Sequence, residues 1–98
     1  MIIKILPSAD RDLEEIYDYL FTEDPDYAEE FLNKFYASLK KLERFPRSGK
    51  RSGIFHLNRS GYRYINMGKY YIYYKIENSI LYIFRLIHTS RDQNKTIN

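Results

Sequence analysis

The sequence predicts an α+β fold, in the order βααβββ, with an antiparallel sheet packed on one face by a two-helix hairpin. Three observations carry that reading. Residues 70–76 and 80–88 are runs of Tyr, Ile, Leu and Phe broken at Glu77-Asn78-Ser79, which is the pattern of a β-hairpin. Two stretches ahead of them place their apolar residues at helical spacing. Only a few residues separate those stretches, so the helices they form turn back on one another.

Each element has a local reason. Ile2 to Leu6 reads as a short strand that Pro7 ends. Ser8 is placed to cap the first helix, with Asp10 and Asp12 near its positive end. Ala9, Leu13, Ile16 and Leu20 form its apolar stripe, which stops around Thr22. Asp24-Pro25 restarts the chain as cap and first helical residue. Ala28, Phe31, Leu32, Phe35, Leu39 and Leu42 make the second stripe, and Pro46 disfavours helical geometry at Phe45. Residues 46–60 are loop-like, rich in Gly, Ser and basic side chains. Gly61 to Ile65 resumes as a strand, Gly68 suits a turn with positive φ, and residues 93–98 are polar and expected to fray.

The hairpin strands are unusual in being apolar on both sides. Tyr70, Ile72, Tyr74 and Ile76 alternate with Tyr71, Tyr73 and Lys75. Leu81, Ile83, Arg85 and Ile87 alternate with Tyr82, Phe84, Leu86 and His88. A half-solvated antiparallel sheet is polar on its wet face, and two helices cover only one face. The second face is therefore expected to meet a separate chain or another copy of this one.

At 98 residues the chain is expected to form a single domain over 1–98. It has no cysteine, so neither disulfides nor thiolate-bound zinc hold it together. No apolar run reaches membrane-spanning length and MIIKIL is too short for a signal peptide, so a cytoplasmic protein is expected, without membrane contact. The net charge of +3 is weak evidence for an acidic partner, but its distribution says more. Acidic residues dominate from Glu14 to Glu30; from Arg44 to Arg63 there are seven basic side chains, counting His56, and no acidic one. Such a segment fits a polyanion, an acidic peptide or plain solvent.

Residue types exclude several chemistries. His56 and His88 lack an evident third ligand, so no metal or other cofactor is expected, and no glycine-rich phosphate loop is present. What remains is Arg63, Arg85, His88 and Arg91 near strand ends, with Lys50, Arg51 and Arg59 in the loop. Guanidinium groups hold phosphate oxygens, and histidine exchanges protons near neutral pH. That set suits either metal-independent RNA cleavage or a surface that only binds. Arg85 is best read as a strand arginine whose head meets a carboxylate on the helices or on a partner.

The layout resembles the RelE/ParE superfamily of toxin–antitoxin toxins, and more closely its ParE branch. The resemblance lies in Ser8-Ala9 through Ile16, Ala28 and Phe31 through Pro46, Gly61-Tyr62-Arg63, Gly68 to Tyr74, and Ile83 to Asp92. It implies a toxin clasped by a cognate antitoxin, with oligomers formed mainly through that antitoxin. ParE-like members inhibit DNA gyrase; RelE-like members cleave messenger RNA on the ribosome. By the resemblance Arg63 matches an arginine that RelE-like toxins place on the scissile phosphate, and Arg91 falls near their second one. Their catalytic tyrosine position is Ile97 here, and His88 is followed by Thr89. The expectation is thus a gyrase inhibitor with Tyr71 and Tyr73 toward the antitoxin and Lys50, Arg51 and Arg59 toward the target. The alternatives are an RNA endonuclease using Arg63, His88 and Arg91, and an inactive member that only binds.

Overall fold

The computed structural model describes residues 1–51 and 61–91. Its elements are β1 (Ile2–Ile5), α1 (Pro7–Glu23), α2 (Pro25–Arg44), β2 (Lys50–Arg51), β3 (Tyr62–Met67), β4 (Tyr70–Glu77) and β5 (Ile80–His88). The strands form one sheet in the order β1-β5-β4-β3-β2. The three long strands pair antiparallel, as expected, while β1 runs parallel to β5 and makes the sheet mixed. Strand β2, two residues long, pairs with β3 inside the segment read from sequence as loop.

The turns follow from their residues. Asn78 and Ser79 both have positive φ, 52° and 63°, which gives the two-residue turn whose twist suits a hairpin. Gly68, at φ 60°, opens the turn between Met67 and Tyr70 without Cβ strain. The Asp24 carboxylate accepts a hydrogen bond from the Asp26 amide at 3.1 Å and caps α2 ahead of Pro25.

Helices α1 and α2 pack on the face carrying Tyr70, Ile72, Tyr74 and Ile76. The core joins Ala9, Leu13, Phe31, Phe35 and Leu42 to Met67, Ile72, Tyr74, Leu81, Ile83 and Leu86. The helical stripes read from spacing are the ones buried. The faces of β5 are not as strict alternation predicts. Tyr73 lies opposite Arg85, and Tyr74 opposite Ile83, so Phe84 is an extra residue between them. This bulge reverses the alternation beyond it. Leu86, and not Arg85, therefore joins Leu81 and Ile83 in the core.

Strand β1 ends before β5 does, and side chains finish its work. The last ladder bond is from the Leu6 amide to the Ile83 carbonyl, 3.0 Å. Beyond it Ser8 Oγ donates to the Phe84 carbonyl at 2.7 Å. The Leu86 amide donates to Asp12 Oδ2 at 3.0 Å. The same carboxylate takes Arg85 in bidentate fashion, Nε to Oδ2 at 2.6 Å and Nη2 to Oδ1 at 3.2 Å. Ser8 is thus a strand-edge partner and not the helix cap expected of it; Leu6 occupies that position without a side-chain bond, and Pro7 sets the first helical φ. Arg85 meets a helix carboxylate, as its strand position suggests.

Removing the Asp12 carboxylate leaves the Leu86 amide and a half-buried guanidinium without their partner. Asp12→Ala is expected to cost about 1–3 kcal/mol of unfolding free energy, and Asp12→Asn less, because its amide oxygen still accepts from Leu86. Urea unfolding of the three proteins measures this; equal midpoints would remove Asp12 from the clamp.

Candidate functional site

The sheet face turned away from the helices is aromatic. Strand register sets Tyr62 beside Lys75 and Tyr82, Tyr64 beside Tyr73, and Asn66 beside Tyr71 and Ile87. Tyr64 packs edge-on to Tyr71 at 5.2 Å between ring centres and tilts against Tyr73 at 5.6 Å; Tyr62 lies 4.8 Å from Phe84. The rings lean on one another, so this face is less open than its composition suggests. Tyr73 is 3% exposed and Ile87 5%, while Tyr71 and Tyr64 are half-buried. The exposed large apolar side chains among the described residues sit elsewhere: Met1 and Ile2 at β1, Tyr19, Phe21 and Tyr27 around the helix–helix turn, Tyr36 on α2 and Phe45 at its end.

A second feature is the corner where β2 meets β3 and β4. The Gly49 amide donates to Tyr74 Oη at 2.9 Å, and Arg63 Nη1 donates to the Gly49 carbonyl at 2.9 Å. A Cβ on Gly49 would stand 2.5 Å from Tyr74 Oη and 2.8 Å from the Tyr64 carbonyl oxygen, so no larger residue fits without movement. Burial raises the Tyr74 phenol pKa, against the Gly49 hydrogen bond and the charges of Arg63 and Arg47, which lower it. Arg63 therefore anchors the β2 segment. Sequence spacing held no sign of this, because Gly49 reads as one more loop glycine.

The third feature is the carboxyl end of β5. His88 Nδ1 accepts from the Ser90 amide at 3.0 Å, and its ring stands edge-on to Tyr70 at 5.1 Å. His88 and Arg91 line a cleft of about 240 Å³ with Asp12, Glu15, Tyr19 and Tyr70. Arg63 is not part of it. It lies opposite Tyr74, whereas His88 lies opposite Tyr70 on the other side of β4. Four residues along the strand and two strand spacings across separate them, roughly 13 Å by 10 Å. Lys50 and Arg51 are exposed on β2 at the opposite edge of the sheet from β1. Arg59 and Ile97 lie outside the described residues. No group of three potential metal ligands occurs among the described residues, and no helix there is long and apolar enough to cross a membrane.

A solved structure of the chromosomal ParDE toxin–antitoxin system from P. aeruginosa superposes with a TM-score of 0.75, covering 90% of this chain and 95% of that one at 19% identity. That likeness defines the class: a small α+β fold with a helical hairpin on one side of a mixed sheet. The family model of the ParE toxin of the type II toxin–antitoxin system parDE matches residues 3–93, and the chain belongs to that family. No curated protein matches it.

The pKa of Tyr73 gives this face a measurable property. Burial, aided by the neighbouring Tyr64 and Tyr71, pushes its phenol up to about 12 from an ordinary 10. Below pH 10 the phenol is neutral in both folded and unfolded chains, and its contribution to stability is complete. Between pH 10 and 12 the unfolded chain ionises first, so stability falls as pH rises. Tyr70 and Tyr74 shift in the same direction and share the slope. Tyr73→Phe is expected to make the decline shallower without abolishing it, as read from urea midpoints across that range; an unchanged slope would mean that this phenol is not buried in solution.

Proposed function

We propose that this chain is the toxin of a type II toxin–antitoxin pair, that it arrests growth in the cytoplasm by inhibiting DNA gyrase, and that a cognate antitoxin neutralises it. The family match over residues 3–93 is the observation that carries this reading. The arrangement of cations favours binding over cleavage. A general acid or base must come within hydrogen-bond reach of the phosphate that its partner arginine holds. Arg63 is engaged by the Gly49 carbonyl, a long way along the sheet from His88 and Arg91. RNA cleavage by the three residues together would require them to converge on a ribosome.

The aromatic sheet face is the proposed seat of the antitoxin. Its tyrosines are stiff and amphipathic, a composition common in binding hot spots. Tyr71 is the residue to alter, being half-buried; Tyr73 is too buried for its replacement to report on binding alone.

Purified protein titrated into gyrase is expected to stop supercoiling or to trap cleaved DNA. Full supercoiling at large excess would overturn the gyrase assignment. Codon-localised cuts in translated messages, lost in Arg63→Ala, would replace it with ribosome-dependent cleavage. Separately, Tyr71→Ala is expected to weaken antitoxin binding about tenfold by calorimetry. Unchanged affinity would place the antitoxin on another surface.

A further inference from the structure

The carboxyl end of α2 and the start of β2 gather Lys40, Lys41, Arg44, Arg47, Lys50 and Arg51, with Glu43 as the one acidic residue in that span. All six cations are exposed. The ion pairs among the described residues join Lys34 to Glu30, Lys75 to Glu77 and Arg85 to Asp12, and none involves this group. Lys41 and Arg44 complement the negative end of the α2 dipole. Arg47, Lys50 and Arg51 lie past the helix, where that explanation does not reach.

The surface between these cations is shaped and aromatic. Phe45 is 55% exposed, with the Arg44 guanidinium 5.5 Å from its ring centre. Phe45, Arg44 and Arg47 wall a shallow hollow that also includes Lys41 and Ser48. Lys41 and Ser48 in turn line a deeper cleft of about 420 Å³, between α2 and the β3 edge, whose other walls include Lys50, Tyr64, Asn66 and Tyr71. The two hollows thus form one strip, cationic along its length and aromatic at both ends.

We propose that this strip binds single-stranded nucleic acid. Lys41, Arg44, Arg47 and Lys50 hold successive phosphates, one base stacks on Phe45, and a nearby base enters the cleft of Tyr64, Tyr71 and Asn66. Single strands are bound by this combination, a basic track interleaved with stacking platforms. The cleft is within the size range of small-molecule sites and offers ring faces together with amide and hydroxyl groups for a base edge. A duplex carries the same phosphates but keeps its base faces stacked. An acidic protein segment uses the cations and has no need of the platform or the cleft. The inference does not rest on the gyrase assignment, because its readout is oligonucleotide binding; the strip shares Lys50 with the side chains expected to face the target, and Tyr64 and Tyr71 with the proposed antitoxin seat.

Fluorescence anisotropy with labelled oligothymidylate and oligouridylate of about twelve nucleotides, matched to known single-strand site sizes, tests it on the full chain. Four phosphate contacts on a single strand give a log–log salt slope near −3, at about −0.7 per contact. Phe45→Ala is expected to weaken binding about tenfold while leaving that slope in place, because stacking is not ionic. Arg47→Ala is expected to make the slope shallower by about 0.7. A duplex of equal length should bind several-fold more weakly. Both substituted side chains are exposed, and thermal melts followed by circular dichroism establish that the variants fold. Absence of binding at low salt, or wild-type affinity in Phe45→Ala, would overturn the proposal. Polyglutamate competing as well as the oligonucleotides would also overturn it and reassign the strip to an acidic protein.

Discussion

One carboxylate, that of Asp12, holds α1 to the sheet at the point where β1 stops pairing with β5. A parallel edge strand only four residues long leaves the rest of β5 with unpaired backbone groups. Such groups are costly if buried and adhesive if exposed. The chain resolves this by turning into α1 directly after Leu6, so that Ser8 and Asp12 reach the Phe84 carbonyl and the Leu86 amide. The charge on Asp12 is then balanced by Arg85, two strand positions beyond Ile83. That contact ties α1 to β5 beyond the last residue that β1 pairs, immediately ahead of the buried Leu13 in sequence.

The bulge at Phe84 belongs to the same arrangement. It places the Phe84 carbonyl and the Leu86 amide on the edge that α1 approaches, and it turns Leu86 inward. Periodicity made the helices legible, because Leu13, Phe31, Phe35 and Leu42 need only a 3.6-residue repeat to be recognised as core. It also exposed the hairpin, where Asn78-Ser79 interrupts two aromatic runs. It misplaced the outer half of β5, because an inserted residue leaves no mark in an apolar strand: Arg85 and Leu86 exchange sides with no change in composition. The parallel edge and β2 were hidden for a related reason. Pairing partners are chosen by topology, and four residues such as Ile2 to Ile5 fit either direction.

Candidate site residues were legible as chemical types and not as an assembly. Arg85 was correctly read as the partner of a carboxylate, since an arginine within a buried strand has few other ways to keep its head satisfied. Arg63 looked free in sequence, and its engagement by Gly49 depends on a glycine 14 residues away making a contact closer than any Cβ permits. Alternation put Tyr71 and Tyr73 on one face without deciding which face the helices take, and the helices pack on the other one. Their difference in burial was not foreseeable, because it arises from how the rings of Tyr64, Tyr71 and Tyr73 lean together. The arrangement of ring against ring is a tertiary fact, whereas the count of tyrosines is a sequence fact.

A net charge of +3 conceals a strong separation of sign. Ten of the thirteen acidic residues lie from Asp10 to Glu30, where Arg11 is the only base, while the cations gather from Lys40 onward. Helix α2 spans 20 residues, so its acidic and basic ends stand about 30 Å apart at 1.5 Å per residue. That is several times the screening length of about 8 Å at physiological salt, so each end presents its own field with little cancellation from the other. A polyanion is drawn to the end of α2 that carries Phe45 and repelled from the end that carries Tyr27. A basic surface meets the opposite preference. The fold thus orients partners of either sign before any contact forms, and segregation of charge along one helix does this without a large net charge.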